Sequence, residues 1–307
     1  MEIDMQASVL FRHLSVTTVF IAFAHLLFGN VVSGTNSGMG CGPHWPLCQG
    51  QLFPPLDDPA LVIEWTHRLF AVFVGLSVLA TVLVAWRRER DKPVLVWLAT
   101  ASLALVVVVA ILGGVTVLLD LHKFISTVHF ALGLLLFALL VVLVAKAHAP
   151  TAPASLANGQ LHRWAFFSAM LIYLQAVLGA YVRHSQAGMA LSLWPFLTFF
   201  PNLAISPIAH QWSHRLMALI VMGAVFACAA KARKSGYGAV GIGSAVLVSV
   251  QILLGILTVW ARLHPMIAML HLAGALALLG LLTVLTVRSW PHAVPFASTS
   301  PEGVRVL

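Results

Sequence analysis

The sequence predicts an all-α integral membrane protein: eight transmembrane helices arranged as two tandem, pseudo-symmetric four-helix bundles. Three observations carry this. The 307 residues are 60% hydrophobic and 8% charged, where a soluble domain holds about 25% charged residues. Apolar runs near the roughly 20 residues that span a bilayer core recur along the chain. The second half of the sequence then repeats the first, feature by feature.

The apolar runs fall at 14–33, 62–86, 93–118, 124–147, 162–182, 209–231, 238–261 and 266–288. No small-residue cleavage site follows the first run, so it is expected to stay as a helix. The connecting segments alternate in charge. "WRRERDK" (86–92), the stretch 146–163 and "KARK" (231–234) are basic, while 34–61 and 183–208 are long and nearly free of Lys and Arg. Basic loops remain on the cytoplasmic side. Both termini are therefore expected in the cytoplasm and both long loops outside. The formal net charge of +8 follows this loop pattern and does not point to nucleic acid.

The repeat sets the organisation. "FGNVVSGTNSGMG" (28–40) aligns with "LGAYVRHSQAGMA" (178–190), and "EWTHRLFAV" (64–72) with "QWSHRLMAL" (211–219). "ILGGVTVLLDLHKFISTVH" (111–129) aligns with "LLGILTVWARLHPMIAMLH" (253–271). Four helices per half make the repeat parallel, so both halves carry their sites on the same side of the membrane. The expected halves are 1–148 and 149–307.

Histidines fall at equivalent places: His67 matches His214, and His129 matches His271. Each half thus has one imidazole near the outer end of its second helix and one near the outer end of its fourth. A four-helix bundle projecting such side chains inward can hold a metal. Two neutral imidazoles on opposite faces of a planar centre suit haem iron. Zinc asks for three or four ligands, and neither HExxH nor CxxCH occurs. An isolated intramembrane histidine is commonly a hydrogen-bonding packing residue; duplication in register argues for ligands. His122 and His264 also match, but Pro265 marks a turn there, so this pair reads as loop residues near the site. The remaining histidines, His25 among them, have no histidine at the equivalent place and are assigned no role.

Arg68 and Arg215 each follow a candidate ligand, while Arg183, Arg262 and Lys123 sit at the outer edge. Haem carries two propionates and basic side chains pair with carboxylates, which makes these five the candidate propionate partners. The alternative is snorkelling to headgroups.

Duplication makes asymmetry informative. Glu64 has Gln211 as its counterpart and lies three residues from His67, on the same helix face. A carboxylate can move protons or stabilise developing positive charge, whereas an amide can only hydrogen-bond. Chemistry is therefore expected in the N-terminal half, with Glu64 as its catalytic residue, and a redox or structural haem in the other. The competing reading makes Glu64 a structural partner of a nearby arginine. The second asymmetry is "CGPHWPLC" (41–48), which has no cysteine counterpart in the other outer loop. A Cys41–Cys48 bridge, a redox-active pair and two free thiols are the readings; a loop on the oxidising side favours the bridge. Cys228, inside an apolar run, reads as an inert buried thiol.

Glu64-x-x-His67-Arg68, the loop "SGMGCGPHWPLCQG" (37–50) and the duplicated histidines together resemble the haem A synthase family, over residues 14–288. The resemblance implies a bacterial plasma-membrane oxidoreductase that converts haem O to haem A for haem–copper oxidases. It would oxidise the C8 methyl of the porphyrin to a formyl group by successive hydroxylations. His67 and His129 would hold the substrate haem, His214 and His271 would ligate a haem b cofactor, and Glu64 would be the acidic residue needed for catalysis. One departure stands out: many relatives carry a second cysteine pair where this chain has "LSLWPFLTFFPN" (191–202). Implied partners are haem O, membrane lipid, the enzyme that makes haem O and an unidentified electron acceptor; the lipid-facing surfaces could support a homo-oligomer. Two other functions compete: a bis-haem b cytochrome for quinol-linked electron transfer, which has no need of the Glu64/Gln211 difference, and a haem transporter or chaperone. A small-solute transporter would carry inverted repeats and broken helices, and neither is seen.

Overall fold

A computed structural model describes residues 7–148, 159–191 and 206–290. Eight helices, each long and apolar enough to cross a membrane, lie among them. They are α1 (Val9–Gly34), α2 (Pro59–Arg88), α3 (Pro93–Leu118), α4 (Lys123–Ala147), α5 (Gly159–His184), α6 (Ser206–Lys234), α7 (Gly238–Trp260) and α8 (Pro265–Arg288). These segments are helical because lipid offers no partner for a free backbone group, so each span must satisfy its own. The starts are set by local chemistry. Ser8 and Asp58 cap α1 and α2 through their side chains, and proline opens α2, α3 and α8, where a missing N–H costs nothing.

The helices close into two rings of contacts. α1, α2, α3 and α4 pack in turn and α4 returns to α1; α5, α6, α7 and α8 do the same, with α8 returning to α5. The first ring buries a core that includes Phe11, Val78, Val82, Leu98 and Leu140. The second buries Leu161, Val225, Cys228, Leu276 and Leu282, with Leu134, Phe137 and Val141 of α4 joining it. The rings meet through α1 and α4 against α5 and α8. Three polar links cross this seam: Arg183 donates to the Ser33 carbonyl at 2.6 Å, Tyr173 Oη to the Ala131 carbonyl at 3.0 Å, and His184 Nδ1 meets Thr127 Oγ1 at 3.0 Å.

The repeat extends to backbone conformation. The α3–α4 turn places Asp120 and Leu121 at φ 47° and 56°; the α7–α8 turn places Arg262 and Leu263 at 52° and 62°. In each half the second residue of that pair inserts its side chain against a loop glycine, Leu121 against Gly38 and Leu263 against Gly188. Left-handed backbone is rare for such residues, so its recurrence at equivalent positions marks a shared turn design. These turns join the helix ends that carry the candidate histidines.

At the opposite end of the molecule a buried carboxylate ties the α2–α3 turn to the start of α1. Glu89 is fully buried; it accepts the Ser8 N–H at 2.8 Å and the Lys92 ammonium at 3.1 Å. Glu89→Ala leaves the Ser8 N–H without its acceptor and Lys92 with Asp91 alone, at 3.4 Å, and a hydrogen bond to a charged group contributes about 1.5–3 kcal/mol. The variant is expected to melt earlier in detergent, with Glu89→Gln between it and wild type.

Candidate functional site: paired histidines under an outer loop

His67 lies in the third turn of α2 and His129 in the second turn of α4, close enough to interact electrostatically. His214 on α6 and His271 on α8 form the equivalent pair. Each ring rests on a glycine of a neighbouring helix: His67 on Gly29 of α1, His129 on Gly113 of α3, His214 on Gly179 of α5 and His271 on Gly255 of α7. A Cβ at Gly179 would sit 2.9 Å from the His214 ring and one at Gly113 3.2 Å from the His129 ring, so the imidazoles keep these two positions bare. Helix–helix seams in membranes use small residues for such close approach.

The donor set fits a planar two-ligand centre. The His129 Nδ1–H donates to the Val109 carbonyl at 3.1 Å, which leaves Nε2 as the nitrogen with a free lone pair. The Nδ1 atoms of His67, His214 and His271 are buried without a hydrogen-bond partner among the described residues. Among those residues no group of three or more His, Cys, Asp or Glu side chains converges as zinc would ask.

Over the N-terminal pair lies the loop between α1 and α2. Cys41 and Cys48 form a disulfide, the bridge that the sequence favoured, and both are buried against Leu61 and Trp65. Arg68 holds the loop, with Nη1 donating to the carbonyls of His44 and Leu47 at 2.9 Å and of Pro46 at 3.3 Å. Trp45 lays its ring on Gly114 of α3, where a Cβ would lie 2.5 Å from it. Glu64 is 3% exposed; its Oε2 accepts the Cys41 N–H at 2.8 Å and its Oε1 takes Arg68 Nη2 at 2.5 Å. The arginine partnership that the competing sequence reading offered for Glu64 is thus present.

The second half repeats the fastening without the charge. Gln211 Oε1 accepts the Leu191 N–H, Gln211 Nε2 donates to the Gly188 carbonyl at 2.6 Å, and Arg215 donates to the Leu191 carbonyl at 2.5 Å. Residues 192–205, which hold most of "LSLWPFLTFFPN", lie outside the described residues. Lys123 and Arg262 are exposed at the outer turns. His122 and His264 are the exposed N-cap residues of α4 and α8, consistent with loop positions.

Gly40 sets how closely the loop meets α2. A Cβ there would lie 2.4 Å from the backbone of Ala60, which cannot yield; the second half carries Ala190 at the equivalent place. Gly40→Ala is expected to push the loop off α2 and leave Cys41 and Cys48 incompletely bridged, read by thiol titration of the purified protein.

Two site residues escaped the sequence reading. His25 of α1 stands with its ring centroid 4.4 Å from that of His67. Gln175 of α5 donates through Nε2 to the His214 carbonyl at 3.0 Å. They occupy equivalent places in the repeat, offset like Gly29 and Gly179. The signal was present as a polar residue at matching positions in two apolar helices, and it was hidden because the residue types differ.

Residues 12–283 match the COX15-CtaA family, whose description is cytochrome oxidase assembly protein. The chain belongs to the COX15-CtaA family. Its relatives agree in extent. A heme A synthase of Bacillus pumilus (strain SAFR-032) is 31% identical over 279 residues, covering 85% of this chain and 89% of the relative. Heme A synthases of Geobacillus kaustophilus (strain HTA426) and Geobacillus thermodenitrificans are 31% and 32% identical, each alignment covering 88% of both proteins. Family membership and eight apolar helices make this COX15-CtaA chain a multi-pass membrane protein.

Proposed function

We propose that this chain is a haem A synthase, an oxidoreductase that converts the C8 methyl of haem O to a formyl group by successive hydroxylations. The observation that carries the reading is one-sided chemistry on a duplicated frame. Both halves carry a histidine pair, and the N-terminal half alone adds a buried carboxylate and a disulfide-closed loop beside it.

In this reading residues 1–148 take the substrate and 149–307 hold the cofactor. His67 and His129 bind the iron of haem O. An apolar groove of about 570 Å³ between α1 and α2, lined by Phe20, Ile21, Ala24, Phe70, Phe73 and Leu76, suits its isoprenoid tail. His214 and His271 hold haem b, which supplies one-electron redox chemistry when bound. Arg68, Arg183, Arg215, Arg262 and Lys123 are the basic groups nearest the outer edge for propionates, with Arg68 and Arg215 also holding the loops. Glu64 exchanges a proton at its carboxylate and offsets positive charge as the methyl is oxidised, with Arg68 and the Cys41 N–H fixing its position. Trp45 and the disulfide loop keep bulk water off the outer mouth. The basic turns face the cytoplasm and the haem sites the outer side, where an electron acceptor and the haem O-producing enzyme would meet the protein.

The test is extraction and mass analysis of the haems carried by the purified protein from cells that make haem O. Haem b together with haem A or a hydroxylated intermediate supports the synthase. Haem b alone, in equal amounts at two sites, replaces it with an electron-transfer cytochrome.

A further inference from the structure

We propose that His25 is a positioning residue for His67: it accepts a hydrogen bond from the Nδ1–H of His67 when Nε2 of that ring binds iron. The proposal rests on the reading of His67 as an iron ligand.

The first observation is a pair of unmet groups. His25 and His67 are ring neighbours, and the Nδ1 atoms of both are buried without a partner among the described residues. A buried donor without an acceptor is costly, and here the orphaned donor has an unused acceptor on the neighbouring helix. In the other half Gln175 Nε2 donates to the His214 carbonyl at 3.0 Å and lies 3.5 Å from His214 Nε2, so that amide stands at the opposite ring nitrogen.

The second observation is His129, which already makes such a bond to the Val109 carbonyl. A ligating imidazole almost always donates its second N–H to an acceptor, which fixes the ring and raises its basicity. A neutral histidine offers one acceptor nitrogen, so His25 can serve. It comes from α1, four residues before Gly29, on which the His67 ring rests. The bond raises the basicity of His67 and so favours the oxidised state of the iron it holds.

Haem retention and redox titration of the purified full-length protein test this, with the two haem signals assigned by His67→Ala and His214→Ala. His25→Leu is expected to weaken haem retention in the N-terminal half about 10–100-fold, the usual effect of losing an outer-sphere partner, and to raise the midpoint potential of that haem. The His214 haem should not move. His25→Gln supplies an amide oxygen as acceptor and is expected to restore retention. Unchanged retention and potential in His25→Leu overturn the proposal; so does an equal loss in His25→Leu and His25→Gln, which would make the role one of ring packing. A His67→Ala protein that keeps both haem signals overturns the ligand reading itself, a separate failure.

Discussion

Glu64→Gln is expected to leave the protein folded, disulfide-bonded and haem-loaded while stopping the conversion of haem O. The molecule itself supplies the control. Gln211 occupies the same place in the second half and holds its loop through the Leu191 N–H as Glu64 holds Cys41. An amide at position 64 can therefore keep the backbone link. What it loses is the charge facing Arg68, and Arg68 retains the carbonyls of His44, Pro46 and Leu47. The stability loss should stay within the about 1.5–3 kcal/mol of one charged hydrogen bond. Proton transfer by a positioned side chain contributes about 10²–10⁴-fold to rate, and that factor is what the amide removes. Haem content, thiol titration and the masses of extracted haems separate the two effects. Haem A at the wild-type level in the variant would reduce Glu64 to a fastener of the loop.

The parts of this architecture that could be read from sequence share a cause. Lipid forces each span to satisfy its own backbone, so eight apolar runs gave eight helices. The ends extend past those runs because the caps and opening prolines, Ser8, Asp58 and Pro59, are not apolar. His67, His129, His214 and His271 stood out because the repeat places like against like. Glu64 and Arg68 are four apart on one helix, a spacing at which side chains meet. Other features left no such trace. The acceptors that hold Arg68 are loop carbonyls, which have no residue signature. Trp45 finds Gly114 only because the loop folds back on α3. His25 and Gln175 stand beside His67 and His214 across a helix seam, and because the two residue types differ the repeat does not flag them.

His67→Ala and His214→Ala should fail in different ways, which is the sharper test of a duplicated molecule with divided labour. Each histidine pair belongs to its own ring of helices with its own core, and among the described residues polar links between the rings run through Arg183, Tyr173 and His184, none of which is a proposed ligand. Removing one imidazole should therefore stay local. In His214→Ala the backbone of α6 keeps its bond from Gln175, because that bond goes to the carbonyl of residue 214 and not to the ring. Loss of a direct ligand should exceed the about 100-fold cost of losing an outer-sphere partner, so each variant should come off the column without the haem of its own half. His67→Ala is expected to keep haem b and to carry neither haem O nor haem A. His214→Ala is expected to lose haem b and to retain haem O unoxidised, because the substrate pair His67 and His129 is intact while the redox group that takes its electrons is missing. Mass analysis of the bound haems reads both outcomes at once. If either substitution empties both halves, the rings are coupled and the division of labour fails; if His214→Ala still yields haem A, the second haem is not the route by which electrons leave.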